Sequence, residues 1–238
     1  MARITVASYN VHWGYDKRAT PFDVVEVCRR LDADVLVLQE SWLPEDKESE
    51  ADRAASELGY TVTHALMGPG RVQGLRGGKP RLCRPQLAEG MLALSMLSRL
   101  PVITTTVIEM MSLPLDAAPR RVAVRLDVNV DGKLFAYVGT HLSHITHGSP
   151  LQLSRLVAQL PAEDQPAALA GDMNMWGPML VRLVPHWERA VRGRTWPNGF
   201  PHSQIDHIVV NRPVRPAGGA VLRDGRSDHL PVRATLEF

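Results

Sequence analysis

The sequence predicts a layered α/β fold with antiparallel pairing in its sheet, and three features carry that expectation. Short apolar runs such as VLVLQE at 35–40 and GMLALSML at 90–97 have the length of buried strands rather than helices. Through residue 66 such runs alternate with segments carrying helix start and stop signals, in the order β-α-β-α-β. RVAVRLDVNV then places apolar side chains at 122, 124, 126, 128 and 130, and Asp131-Gly132 joins it to KLFAYVGTHL. That hairpin excludes a wholly parallel sheet. With 238 residues and 45% hydrophobic composition, the chain can bury a sizeable core, and residues 1–238 read as one domain.

In chain order, ITVASYN at 4–10 predicts the first strand. Thr20 as N-cap with Pro21 at the first helical position predicts a helix over 21–31. VLVLQE follows as a strand ending on Glu40. PEDKESEADRAASELGY, 44–60, predicts an exposed acidic helix stopped by Gly59, and YTVTHAL, 60–66, another strand. RVQGLRGGKPRLCRP, 71–85, has five Lys or Arg, three Gly, two Pro and no acid, which predicts a mobile basic loop. It reads either as a solvated surface loop or as a phosphate-contacting flap; Gln73 and Pro80 break the P-loop pattern. QLSRLVAQL, 152–160, predicts a helix. AALA, 167–170, predicts a short strand opening at Gly171 into a loop, with Trp176-Gly177-Pro178 as the break. IDHIVVN, 205–211, and LPVRATLEF, 230–238, read as closing strands.

Composition excludes little about the substrate, because a net charge of +2 selects neither nucleic acid nor membrane. The opening MARITVASYN looks like a strand and lacks a secretory leader pattern. No apolar stretch approaches the roughly 20 residues of a membrane span. Two cysteines argue against a disulfide framework, and a cytoplasmic location is expected.

Polar residues recur where strands meet loops: Asn10, Glu40, His141, Asp172 with Asn174, Asp206, and Asp228-His229. In a layered α/β domain such ends can converge on one rim. Asp172 and Asn174, two apart, would point into one cavity if the strand continued, or would cap the next helix if it did not. The carboxylates and amides are hard oxygen ligands, which favour Mg²⁺ or Mn²⁺, and such an ion suits a phosphate substrate. A carboxylate could orient water while an imidazole donates to the transition state. The histidines at 141, 144 and 147 raise a zinc reading, but no H-E-x-x-H or C-x-x-C pairing is present.

Seven ordered blocks, SYNVHWG, LVLQES, MLSRLPV, GTHLSH, GDMN, QIDHIVV and SDHLPV, span nearly the whole chain. Through them the sequence resembles the endonuclease/exonuclease/phosphatase superfamily, which includes deoxyribonuclease I-like enzymes, AP endonucleases, neutral sphingomyelinases and inositol polyphosphate phosphatases. The resemblance implies a four-layer α/β sandwich, two packed mixed sheets flanked by helices, and metal-dependent phosphoester hydrolysis. It implies Glu40 as principal Mg²⁺ (or Mn²⁺) ligand with Asp228 and Asn10 close by. Asp172 would orient or activate water, and Asn174 would help hold nucleophile and phosphate. Asp206 would fix the tautomer of His229, which would contact the scissile phosphate. His141 stands where the nuclease and sphingomyelinase branches carry histidine and AP endonucleases typically carry tyrosine, which argues against AP-site cleavage.

His12, Arg121 and Trp196 are the expected substrate contacts, although an arginine at a strand start is commonly just exposed. Trp13, Trp42 and Trp176 join Trp196 near the motifs, either rimming the site or packing its loops. Tryptophan faces and the basic run favour a nucleic-acid substrate, hence a nuclease. The alternatives are a sphingomyelinase-like or inositol/nucleotide phosphoesterase and, from another class, a catalytically silent binding module. Neither stable membrane insertion nor an obligate protein partner is expected.

Overall fold

Buried side chains on both faces of the central strands require cover on both sides, and the fold supplies it with four layers. The computed structural model describes residues 1–72, 78–113, 116, 118, 120–145 and 147–238. One sheet comprises β1 (Arg3–Asn10), β2 (Val35–Pro44), β3 (Thr61–Val72), β4 (Pro80–Leu82) and β5 (Gly90–Ser98), joined by β12 (Arg215–Val221) and β13 (Val232–Glu237). Its spatial order is β12-β13-β1-β2-β5-β3-β4. The other comprises β6 (Val102–Met110), β7 (Arg121–Val130), β8 (Lys133–His141), β9 (Ala167–Asp172), β10 (Glu188–Arg189) and β11 (Asp206–Val210), in the order β10-β11-β9-β8-β7-β6. Each sheet has one parallel pair at its centre, β1 with β2 and β8 with β9, amid antiparallel pairings.

Strand alternation sorts the apolar residues into three cores. Val35 and Val37 face the other sheet, with Leu94, Met96, Phe135, Tyr137 and Ile208. Their neighbours Leu36 and Leu38 face the opposite way, under Val24, Val27, Leu31 and Ala54 of α1 (Val24–Leu31) and α2 (Glu50–Leu58). Leu153 and Leu180, of α3 (Gly148–Val157) and α4 (Gly177–Leu183), cover Val138, Leu169 and Val209. Each Leu or Ile buried this way contributes roughly 1.5–3 kcal/mol. The sheets approach closely enough that a side chain at Gly139 would run into Met96 and Val37. Across the same interface the Tyr137 hydroxyl donates to the Ala7 carbonyl at 2.6 Å.

Several boundaries differ from the sequence expectation. Pro21 pairs with Tyr15 in an isolated bridge, so α1 starts three residues later, capped by Asp23, whose carboxylate accepts from Glu26 N at 3.2 Å. α2 is shorter than expected and amphipathic, burying Ala51, Ala54 and Ala55, and Gly59 ends it at φ 73°. β2 runs past Glu40 through a register shift between Leu38 and Ser41. The start and end of the basic run are not loop: Arg71 and Val72 finish β3 and pair with Arg81 and Pro80 of edge strand β4. Residues 73–77 of that run lie outside the described residues. Among the described residues no helix is long and apolar enough to cross a membrane.

Candidate active site

The parallel pairs bring their carboxyl ends to one rim. Asn10 ends β1, His141 ends β8 and Asp172 ends β9. Register sets His141 opposite Asp172, and Asp172 opposite Asp206, the first residue of antiparallel β11. The two sheets meet at Asn10, whose Nδ2 donates to Glu40 Oε1 and Asp172 Oδ2, each at 3.1 Å. Glu40 reaches that amide from a left-handed backbone, φ 55°, inside the β2 irregularity. His12, Trp13 and Asn174 also have positive φ, and such conformations cluster at functional sites. Gly171 is required by its approach to Thr140: a Cβ there would strike the Thr140 carbonyl oxygen.

Asp172 and Asn174 meet through a turn rather than through strand alternation. Asn174 N donates to Asp172 Oδ1 at 3.0 Å, and its Nδ2 donates to the Leu142 carbonyl at 3.0 Å. Neither caps α4, whose N-cap is Trp176. Asp228 and His229 are fixed by buried Ser227, whose Oγ donates to the Asn10 carbonyl at 2.6 Å and accepts from His229 N at 3.0 Å.

His229 Nδ1 faces both oxygens of Asp206, and its Nε2 lies 3.7 Å from Asp172 Oδ2. His141 Nε2 lies 3.5 Å from the same oxygen and 4.0 Å from Glu40 Oε1. Burial, against the pull of His229, raises the Asp172 carboxyl to about 7. Burial alone would lower His229, but the Asp206 and Asp172 charges and the Asp206 hydrogen bond outweigh it and raise the imidazole to about 10. For His141, burial and then the Arg121 charge act together and hold it well below the ordinary histidine value. The rim therefore presents an imidazolium, a neutral imidazole and a carboxyl group that titrates near neutrality.

The expected substrate contacts fall in different places. Arg121 is neither exposed nor free. It is 3% exposed, its guanidinium pairs with Asp116 at 2.7 Å, and it points Nη1 at the His141 carbonyl at 3.5 Å. His12 reaches the rim: its N donates to Asn10 Oδ1 at 3.0 Å, and its Nδ1 lies 3.1 Å from the Tyr15 carbonyl and 3.6 Å from Asp228 Oδ1. Lys79 Nζ sits 3.1 Å from His12 Nε2. An ammonium only donates, so His12 accepts there and carries its hydrogen on Nδ1. The basic composition of 71–85 pointed toward Lys79, but only the β3–β4 hairpin shows which side chain arrives. Trp196 packs edge-on against His202, with ring centroids 5.4 Å apart. Trp13 stacks on His12, Trp42 packs over Gly70 and Gly90, and Trp176 is 70% exposed.

The residues present fit a hard divalent cation. Glu40 Oε2 and Asp228 Oδ1 are buried with no hydrogen-bond partner among the described residues, a costly state for a carboxylate oxygen unless a cation meets it. Asp172, Asp206 and His229 also place ligand-type atoms within 4.8 Å of one another, a buried arrangement consistent with a divalent-metal site. Within that cluster, however, the Asp206 oxygens already engage His229 Nδ1, so the unsatisfied oxygens lie at Glu40 and Asp228.

The sequence profile of the Endonuclease/Exonuclease/phosphatase family matches residues 7–229. The chain belongs to this family. Solved structures agree on the fold. An endonuclease/exonuclease/phosphatase from Beutenbergia cavernae DSM 12333 is 20% identical with TM-score 0.80, the match covering 100% of this chain and 72% of that one. A mannosyl-6-phosphatase from Bacteroides thetaiotaomicron VPI-5482 is 17% identical with TM-score 0.73, covering 99% and 100%. D. rerio TDP2 complexed with a single-strand DNA product is 17% identical with TM-score 0.66, covering 100% of both. Among curated protein sequences no significant match is found. The endonuclease/exonuclease/phosphatase fold and its buried Asp/His cluster support metal-dependent phosphoester hydrolysis in general.

Proposed function

We propose that residues 1–238 act as one domain, a divalent-metal-dependent phosphodiesterase that hydrolyses nucleic acid with an activated water. The observation that carries this reading is the buried His229 imidazole, held between Asp206 and Asp172, on the same rim as carboxylate oxygens of Glu40 and Asp228 that have no hydrogen-bond partner among the described residues. Glu40, Asp228 and Asn10 would hold Mg²⁺ or Mn²⁺. When bound, such an ion neutralises phosphoryl oxygens and favours departure of the leaving oxygen.

The chain's own groups divide the remaining work. Asp172 takes a proton from water as the water oxygen bonds to phosphorus and the ester oxygen leaves with its bonding pair. Asn174 restrains the Asp172 carboxylate through its main-chain N–H. His229 and neutral His141, both beside Asp172 Oδ2, donate to the phosphoryl oxygens, and Asp206 prevents the His229 ring from turning. Lys79, whose ammonium donates to His12 Nε2, adds a positive charge beside the rim, and His12 holds it there. The D. rerio protein solved with single-strand DNA is consistent with nucleic acid as the substrate class.

The test is a panel of single- and double-stranded DNA, RNA, sphingomyelin and inositol phosphates, each with Mg²⁺, with Mn²⁺ and in excess EDTA. Metal-dependent turnover of a nucleic acid is expected. Preference for sphingomyelin or inositol phosphates would replace the nuclease reading with a small-molecule or lipid phosphoesterase. Binding without turnover would leave a silent binding module.

A further inference from the structure

Two cavities share a wall at Pro21 and Phe22. One, about 560 Å³, has an aromatic interior and a rim of Glu45, Asp46, Glu48, Glu50 and Glu89 against Lys47 alone. Such a rim repels phosphate. The other, about 610 Å³, lies between α1 and the loops around 16–20, 198 and 225–227, and it has the opposite character. Lys17, Arg18 and Arg226 line it with exposed side chains. Among the described residues none of the three is ion-paired, whereas Arg30 in the same wall is held by Glu26 and Asp224.

The carboxylates of this second cavity are already engaged. Asp16 Oδ1 accepts from the main-chain N–H groups of Arg18 and Thr20, both at 2.8 Å. Asp23 caps α1, and Glu26 is tied to Arg29 and Arg30. The described lining thus sets four cations, Lys17, Arg18, Arg30 and Arg226, against three acids, Asp16, Asp23 and Glu26, and two of those acids are turned onto main-chain donors. The cavity also adjoins the catalytic rim. Ser227 in its wall bonds the Asn10 carbonyl and precedes Asp228, and Asn198 N donates to the Asp228 carbonyl at 2.6 Å. A Cβ built on Gly199 would lie 2.7 Å from Lys17 Nζ, so the lysine spans the mouth toward the loop that supports Asp228.

We propose that this cavity is a subsite for a second phosphate of the substrate, bound by Lys17, Arg18 and Arg226 one step from the bond that is cut. The acid-rimmed cavity repels phosphate, which leaves the basic cavity as the place for it. The subsite rests on the phosphodiesterase reading and sharpens it by requiring a substrate with more than one phosphate. A neighbouring nucleotide or a polyphosphorylated polyol would supply the same chemistry.

The test compares the double variant Lys17→Met/Arg18→Met and the single variant Arg226→Gln with the parent chain. On bis(p-nitrophenyl) phosphate, which has one phosphate, all should show the same kcat/KM. On whichever source the subsite serves, a short oligothymidylate or inositol hexakisphosphate, KM should rise about tenfold with kcat unchanged. With the oligothymidylate, the slope of log affinity against log salt should fall by about 0.7 for each phosphate that the variant leaves unneutralised. Equal losses on the one-phosphate ester, or an unchanged KM on the multiply phosphorylated substrate, would overturn the subsite. If the parent turns over neither multiply phosphorylated substrate, the phosphoesterase reading fails on both, and tripolyphosphate titrated in excess EDTA decides the subsite separately. Tight binding to the parent that disappears in the double variant supports it, whereas equal binding, or none to the parent, overturns it.

Discussion

His229 Nδ1 lies 2.9 Å from Oδ2 and 3.1 Å from Oδ1 of Asp206, with both side chains buried. An ionised carboxylate only accepts, so Nδ1 donates and Nε2 is the atom presented toward Asp172. Acting as one unit, the pair should lose its function once. Asp206→Ala and His229→Ala should each slow turnover by about 10²–10⁴-fold, and the double variant should be little worse than His229→Ala. Additive losses in a correctly folded double variant would break the pairing.

Among the described residues Glu40 and Asp228 each bury an oxygen without a hydrogen-bond partner, which should be visible without any substrate. Glu40→Gln should weaken Mn²⁺ binding, followed by electron paramagnetic resonance, by at least about tenfold, the smaller end of what even outer-shell substitutions cost. Excess EDTA should abolish turnover. Unchanged Mn²⁺ affinity in the variant, or full activity in EDTA, would remove Glu40 from the metal site.

Arg121 and Asp116 form a buried ion pair, 3% exposed on the arginine side chain and 0% on the aspartate. Removing one partner strands the other, so Asp116→Ala should cost about 3–5 kcal/mol in urea unfolding. Replacing both with apolar residues, Arg121→Met with Asp116→Leu, should recover much of that loss. A cost below about 1 kcal/mol for Asp116→Ala would mean that water solvates the pair as it does surface bridges.

His207 is buried beside the site, with Nε2 3.0 Å from the Met175 carbonyl, and burial lowers its pKa to about 4. The folded state therefore resists protonation that the unfolded chain accepts below about 6.5. Stability from this group is intact above that pH and falls as pH drops toward 4, by about 3 kcal/mol in total. Unfolding free energy measured between pH 7 and pH 4 should fall less steeply in His207→Gln than in the parent chain. Parallel curves would show that His207 does not drive the acid limb.

Strand existence was legible because burial imposes period two: 122, 124, 126 and 128 all lie in the inter-sheet core. The convergence of strand ends was legible too, since a polar residue ending an apolar run has few structural reasons to be there. Local backbone geometry was not. Glu40 departs from the strand period through a bulge, and Asn174 through a left-handed turn; asparagine tolerates a positive φ but glutamate gives no sign of one. Pro21 is as suitable for a bridge as for a helix start, and the choice was made by its pairing with Tyr15. In the basic run, Gly and Pro masked an edge strand, where proline costs no ladder bond. Arg121 read as an exposed strand start because its buried partner, Asp116, belongs to a segment with no periodic signal.

Ser227 bonds Asn10 across 217 positions of sequence, and Asn10 bonds Asp172 across 162. The centre draws on residues from Asn10 to His229, and closing loops of that length is entropically costly until both sheets have docked. Catalysis in this architecture is consequently a global property of the chain. Partly folded molecules are chemically silent toward any phosphoester they meet, and activity regained on refolding counts only those in which the two sheets have come together.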